Sequence, residues 1–291
     1  MKTLIFGILI ILTGSLHAQL VKDGLFNNPE LTITEIPAAS NMDIDDEGNI
    51  LLIDPVKSQV FKLLKDTRYD SSIVIGGRNQ REEGFLSLKK VVSKNRQSIY
   101  ILDDADRRIT LLNTNLKIIG NTHFLNLENF DNDEEIYPIS FDISIAGEQY
   151  VLNQQDNRIY KFNPFGKLEN VFGGLDYGAG SLFHPVDVIV SANNFVYVVD
   201  TSAQNLMVFD NYGVFRYKLE IKAPFRWSQV SVSASLIICY NQSQVYIENI
   251  QSGKNQLFKP ELPNRIRDVK IKGSSIYLLT EKEIFLYKIK S

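Results

Sequence analysis

The chain has 291 residues, 44% apolar and 22% charged, with a formal net charge of −3. That balance excludes the broad positive field that binding a phosphate backbone requires, so no nucleic-acid partner is expected. A lone cysteine, Cys239, excludes an internal disulfide, and stability must come from a packed core.

The first element is not part of the fold. Lys2 precedes an apolar stretch, Leu4 to Leu12, then Thr13-Gly14-Ser15 and Leu16-His17-Ala18. This layout predicts a secretory signal peptide over residues 1–18, cleaved after Ala18. Leu16 is larger than the residue favoured three positions before a cut, which leaves the position of the cut open. An uncleaved anchor is the alternative, but the apolar run is shorter than the ~20 residues of a bilayer span. Residues 19–291 then read as one domain with no transmembrane segment, periplasmic or secreted.

Leu31-Thr32-Ile33-Thr34-Glu35-Ile36 is a strand with no repeat of its own. After it, one unit recurs. A short first strand, often preceded by Pro, leads into a five-residue apolar strand with a polar end. A tight polar turn, a third strand, a Gly-containing turn and a weaker fourth strand follow. The second strands are the clearest ruler: Ile50–Asp54, Ile99–Asp103, Gln149–Asn153, Val196–Asp200, Leu236–Tyr240 and Ile276–Thr280. Their last residues lie 49, 50, 47, 40 and 40 apart. A period of this length with several strands per unit predicts a propeller with one sheet per repeat. The third strands, starting near Val60, Ile109, Ile159, Leu206, Val245 and Ile284, follow after connections too short for a crossover helix. Nearly continuous apolar second strands indicate burial on both faces, as between neighbouring blades. No segment has a helical period; Arg81 to Lys90 is the best candidate for a short helical turn.

The last repeat lacks a fourth strand. The expected architecture is therefore all-β, a six-bladed β-propeller whose N-terminal strand closes the last blade and covers its open edge.

The segments Gly180-Ser181-Leu182-Phe183-His184-Pro185-Val186-Asp187-Val188, Val196–Asp200 and Asn205-Leu206-Met207-Val208-Phe209-Asp210 with Gly213 resemble an NHL repeat. Asp156-Asn157-Arg158-Ile159-Tyr160-Lys161-Phe162 with Gly166 matches its later half. Phe172-Gly173-Gly174 and Ile75-Gly76-Gly77 match its glycine-rich join. The resemblance covers residues 31–291 and is weakest in the last two blades. It implies the propeller fold and leaves function open, since such repeats host enzymes, ligand binders and interaction modules.

Asp43, Asp142, Asp187 and Asp268 fall at similar places in the first strands of blades one, three, four and six, where blades two and five carry Val91 and Val230. First strands line the central channel. The carboxylates are expected either to form a cation or polar-ligand site, calcium being the possible ion, or to cap backbone amides of their own blades. No other cofactor is expected. Asp54, Asp103, Asn153 and Asp200 fit Asx bonding to the turns that follow them. Asp131-Asn132-Asp133-Glu134-Glu135 lacks the ligand spacing of a calcium loop and reads as a charged loop within the insertion His123–Pro138. His123 and His184 lie on different blades, with His184 packed, so zinc is not indicated. Cys239 has no activating partner. Arg226 and Trp227 precede a first strand, where they serve either as interface anchors on a channel rim or as a packed Trp beside a solvated Arg. Arg78, Arg81 and Phe85 enter blade two equivalently.

Export, a rigid scaffold and the lack of a coherent catalytic set favour a non-catalytic interaction or scaffold module. Its partner would be an envelope protein or an outer-membrane complex, such as a periplasmic subunit resembling the plug of the type 9 secretion translocon. The alternatives are a metal-dependent hydrolase or lyase using the channel carboxylates, and a propeller that binds a small ligand in the channel.

Overall fold

In a computed structural model the described residues are 29–289, apart from 35, 78–83, 96, 125–134 and 203. The signal-peptide expectation, Arg78 and Arg81 lie outside them. Blade one comprises β2 (Asn41–Ile44), β3 (Ile50–Asp54), β4 (Gln59–Leu63) and β5 (Ser72–Gly76), after β1 (Leu31–Ile33). Blade two comprises β6 (Leu88–Asn95), β7 (Ser98–Asp103), β8 (Arg108–Asn113) and β9 (Ile118–His123); blade three, β10 (Pro138–Ile143), β11 (Gln149–Asn153), β12 (Arg158–Phe162) and β13 (Leu168–Gly173). Blade four comprises β14 (Pro185–Val190), β15 (Val196–Asp200), β16 (Asn205–Phe209) and β17 (Phe215–Glu220); blade five, β18 (Gln229–Val232), β19 (Leu236–Tyr240), β20 (Val245–Asn249) and β21 (Asn255–Phe258). Blade six comprises β22 (Ile266–Lys272), β23 (Ser275–Thr280) and β24 (Ile284–Lys288).

Each blade is an antiparallel meander, and β1 completes blade six in the order β1-β24-β23-β22. Leu31 pairs with Leu286 and Ile33 with Ile284, so the predicted closure is present. The helical turn expected between Arg81 and Lys90 is not formed where it is described, because Leu88–Lys90 already belong to β6. Short 3-10 turns occur instead at Lys65–Thr67 and Gly178–Gly180.

The core is a ring of layers, one between each pair of neighbouring blades. Leu51 and Ile53 face blade two while Leu52 and Ile50 face blade six, which is why the second strands read apolar throughout. Burying each such side chain contributes about 1.5–3 kcal/mol. Cys239 belongs to the layer between blades four and five, and burial pushes its thiol far above the ordinary range.

The meander sets two faces. The turns after first and third strands open on one face; the turns after second strands and the inter-blade loops open on the other, here called the loop face.

Candidate functional site: the central channel

First strands have one ladder edge paired and one facing the channel, so alternate backbone N–H groups there need acceptors. Among the described residues, side chains of the preceding blade supply them at three of the six junctions. Asp268 accepts the Met42 N–H at 2.9 Å, from blade six to blade one. The Asn41 amide oxygen takes the Val91 N–H at 2.9 Å and Asp43 takes the Ser93 N–H at 2.6 Å, both from blade one to blade two. Asp142 takes the Val190 N–H at 2.7 Å, from blade three to blade four. Asp43, Asp142 and Asp268 also each accept the N–H of the following residue. The expected capping of amides within a blade is therefore present, and capping across blades is added to it.

The four aspartates do not occupy one level. Asp187 and Asp268 lie opposite Val199 and Leu279, one residue before the polar end of the second strand. Asp43 and Asp142 lie opposite Leu51 and Tyr150, two residues further along. The first level is completed by Asn41, Lys90, Ser140 and Val230, and the second by Val92, Ile189, Val232 and Lys270. Val91, taken from the sequence as the blade-two equivalent, instead packs toward blade one. The offset follows from the place of each residue in its strand: Asp43 and Asp142 lie one residue before the last pairs, at Ile44 and Ile143, whereas Asp187 lies three before Val190.

Sequence reasoning missed the lysines, which decide the chemistry of the channel. Lys90 reaches past blade three to Asp187 of blade four, with Nζ 2.5 Å from the carboxylate and 3.1 Å from the Val188 carbonyl. Ser140 also donates to Asp187. Lys94 lies 3.0 Å from Asp142 and donates to the Val190 carbonyl at 2.9 Å. Lys270 lies 3.6 Å from Asp268. Burial opposes its charge, but the fields of Asp268, Asp43, Asp187 and Asp142 override this and hold the ammonium well above its ordinary pKa. Asp43 moves the other way for a carboxylate: burial raises it, and Lys270 and Lys94 only partly offset the shift. Tyr240 donates to Asp268 at 2.7 Å, and burial with that carboxylate drives its phenol far up.

Two cavities remain along the axis. One of about 250 Å³ opens at the loop face beside Lys89, Val186 and Gln229. One of about 120 Å³, bordered by Asp43, Lys94, Asp142 and Lys270, lies toward the opposite face. Lys90 and Asp187 line both. The carboxylates are taken up by ammonium groups and amides, an arrangement that does not fit a calcium site built from all four. Among the described residues, no three His, Cys, Asp or Glu side chains meet as metal ligands.

Trp227 is 2% exposed and packs between blades four and five. Its backbone is clamped by Gln204, which accepts its N–H and donates to its carbonyl, both at 2.9 Å. Arg226 beside it is exposed. The packed-Trp reading holds, and Trp227 is no rim anchor. Phe85 is likewise a core residue under the Arg108 guanidinium. His184, expected to be packed, is exposed; its backbone is held, the N–H by Asp200 and the carbonyl by the Thr201 amide.

The polar ends of the second strands do more than predicted. Asp103 binds the Asp106 amide in its turn and also the Leu86 and Ser87 amides of the incoming loop. Asp200 and Asn153 do the same for Phe183 and Tyr137. Asp54 caps only its turn, and its second oxygen is buried without a hydrogen bond to a described residue. Glu135, the described end of the acidic insertion, pairs with Arg107 at 2.7 Å.

No family model and no curated protein matches the chain. Among solved structures it is similar to a streptogramin B lyase, with a TM-score of 0.59 and 11% identity over 90% of this chain and 88% of that one. It is also similar to the virginiamycin B lyase from Staphylococcus aureus, with a TM-score of 0.57 and 11% identity over 90% and 88%. A catalytically inactive variant of that lyase, crystallised with quinupristin, gives a TM-score of 0.57 and 13% identity over 91% and 89%. At such identity the likeness is one of fold. The chain is a six-bladed β-propeller, and the NHL-type resemblance is supported at that level, not at the level of the family.

Proposed function

We propose that the chain is an exported, non-catalytic propeller that acts as an interaction or scaffold module in the cell envelope. The observation that carries this reading is the internal pairing of the channel charges. Lys90, Lys94 and Lys270 hold Asp187, Asp142 and Asp268 in internal ion pairs, and Asp43 is held by the Ile44 and Ser93 amides, so the channel charges are engaged with the scaffold itself. The loop face instead presents exposed apolar side chains, among them Val56, Leu86, Leu175 and Phe183. Scattered apolar residues are ordinary on a surface, but Leu86 and Phe183 sit at equivalent entries to blades two and four, on backbone fixed by Asp103 and Asp200. No helix among the described residues is long and apolar enough to cross a membrane. A narrower version makes the partner an outer-membrane secretion machine of the plug-bearing kind.

Purification from envelope extracts in mild detergent tests the proposal. A partner that co-purifies in fixed ratio, and is lost on Leu86→Asp with Phe183→Asp, supports it. A lone monomer in every fraction counts against it. A lyase or hydrolase is the second reading, favoured by the activity named for the similar structures and by the cavity beside Lys89 and Lys90. Turnover of virginiamycin B, quinupristin or a lactone by the purified chain would replace the first reading with the second.

A further inference from the structure

Away from the channel, blade four carries a groove of about 480 Å³ on the face opposite the loop face. It lies between the β14–β15 turn and the start of β17, and is lined by Asn193, Asn194, Phe195, Tyr212, Arg216 and Tyr217. A break in the ring's packing opens it. The third-to-fourth-strand turns of blades two, three and four each place one left-handed residue against the preceding blade. Leu116 at φ 58° is buried toward blade one. A Cβ on Gly166 would meet Thr122 of blade two at 3.4 Å, and one on Gly213 would meet Phe172 of blade three at 2.5 Å. In blade five the corresponding Gly253 has nothing within 4 Å. Ile250 still packs into the layer between blades four and five, but the tip of its turn stays off blade four. Tyr217, on the face of β17 toward blade five, is consequently exposed, Arg216 is exposed beside it, and Tyr212 is 73% exposed.

The turn backbone and the Arg216 guanidinium are held in place. Tyr217 lies in line with Val208 and the buried Tyr197 across the sheet. Asp210 accepts the Tyr212 and Val214 amides at 2.9 Å each and takes the Arg216 guanidinium on its other oxygen. The Tyr212 carbonyl accepts Asn170 at 2.7 Å. The groove therefore offers two exposed phenol rings, the side-chain amides of Asn193, Asn194 and Asn211, and an ion pair whose charges cancel.

We infer that this groove binds a neutral saccharide. A pyranose ring has an apolar C–H face that stacks on an aromatic face and a rim of hydroxyls that needs planar donors and acceptors. Tyr217 and Tyr212 supply the first, and Asn193, Asn194 and the Asp210–Arg216 pair the second. A charged ligand gains little from a cancelled pair. A wholly apolar one would leave the amides and the guanidinium short of partners, which costs affinity. The inference is independent of the envelope role, since it concerns a different blade face and needs no protein partner.

Titration of the full-length chain with cellotetraose, maltotetraose and N,N′,N″,N‴-tetraacetylchitotetraose, by saturation-transfer NMR and calorimetry, tests it. A shallow groove predicts a Kd of roughly 0.1–1 mM for at least one probe. Tyr217→Ala or Tyr212→Ala should weaken that binding about tenfold, which is ~1.4 kcal/mol. Tyr217→Phe should retain most of it, and Phe165→Ala in the matching turn of blade three should leave it unchanged. Circular dichroism of each variant separates loss of binding from loss of fold. Absence of binding by all three probes at 10-fold above that range (~10 mM), or binding indifferent to both alanine variants, overturns the inference.

Discussion

Removing the Asp268 carboxylate should loosen the ring where its two ends meet. Asp268 is 2% exposed. It accepts the Met42 and Val269 amides at 2.9 and 2.8 Å, the Asn41 amide at 2.7 Å and the Tyr240 hydroxyl at 2.7 Å. Asp268→Ala strands two buried backbone donors and a buried phenol, and deprives Lys270 of its nearest anion. Each stranded donor costs about 1–3 kcal/mol, but such penalties are not additive within one network. Breaking a buried charge pair costs about 3–5 kcal/mol, which serves as the expected total. For a domain of this size each kcal/mol lowers Tm by about 2–4 °C, so a drop on the order of 10 °C is expected. Asp268→Asn keeps one acceptor oxygen and should lose roughly half as much. Glu281→Ala, which removes an exposed partner of Arg267, should stay within about 0.5 kcal/mol and serves as the control. Urea denaturation followed by circular dichroism measures all three. If Asp268→Ala lay within about 1 kcal/mol of the parent protein, the inter-blade role of the carboxylates would be wrong.

Deleting residues 19–33 removes β1 and should lower the melting temperature of the whole ring, because Ile33 packs with Ile284 and Leu279 and β1 covers the edge of β24; an unchanged single transition by calorimetry refutes the closure role. Gly213→Ala should cost more stability than Gly253→Ala. Both carry positive φ, but only the former drives a Cβ into Phe172, so equal unfolding free energies would contradict the docking of that turn. Asp45 has a pH signature. Burial works against its charge, but hydrogen bonds from Asn49 and Lys62 outweigh burial and hold its pKa below the ordinary value. A lowered pKa contributes stability that is present above about 4 and lost as pH falls through the folded value. Asp45→Asn should therefore be less stable than the parent at pH 7, with the gap closing toward pH 2–3 in parallel melts.

The blades were legible in the sequence because their signal is local and repeated. A strand buried on both faces must be apolar throughout, and Ile50–Asp54, Val196–Asp200 and Ile276–Thr280 state this without reference to one another. The closing strand was legible by subtraction, since blade six ended one strand short. The channel was less legible. Asp43 and Asp187 look equivalent because each is an acidic residue in a first strand, yet they differ by two register positions. Side chains two apart share a face, so periodicity cannot separate them, and only the pairing with the second strand does. Lys90 went unnoticed for a related reason. Beside Lys89 it reads as a solvated charge, and its partner Asp187 lies two blades away. Trp227 was ambiguous because the residue that clamps it, Gln204, comes from a turn with no sequence relation to it.

Native-state hydrogen exchange at the Met42, Val91, Ser93 and Val190 amides tests most directly whether side chains of one blade seal the inner edge of the next. These N–H groups face the channel, outside any strand ladder. Protection comparable to the ladder amides of β3 and β15, lost selectively at Met42 in Asp268→Ala, is the predicted result. Exchange at the rate of exposed turn amides would contradict it.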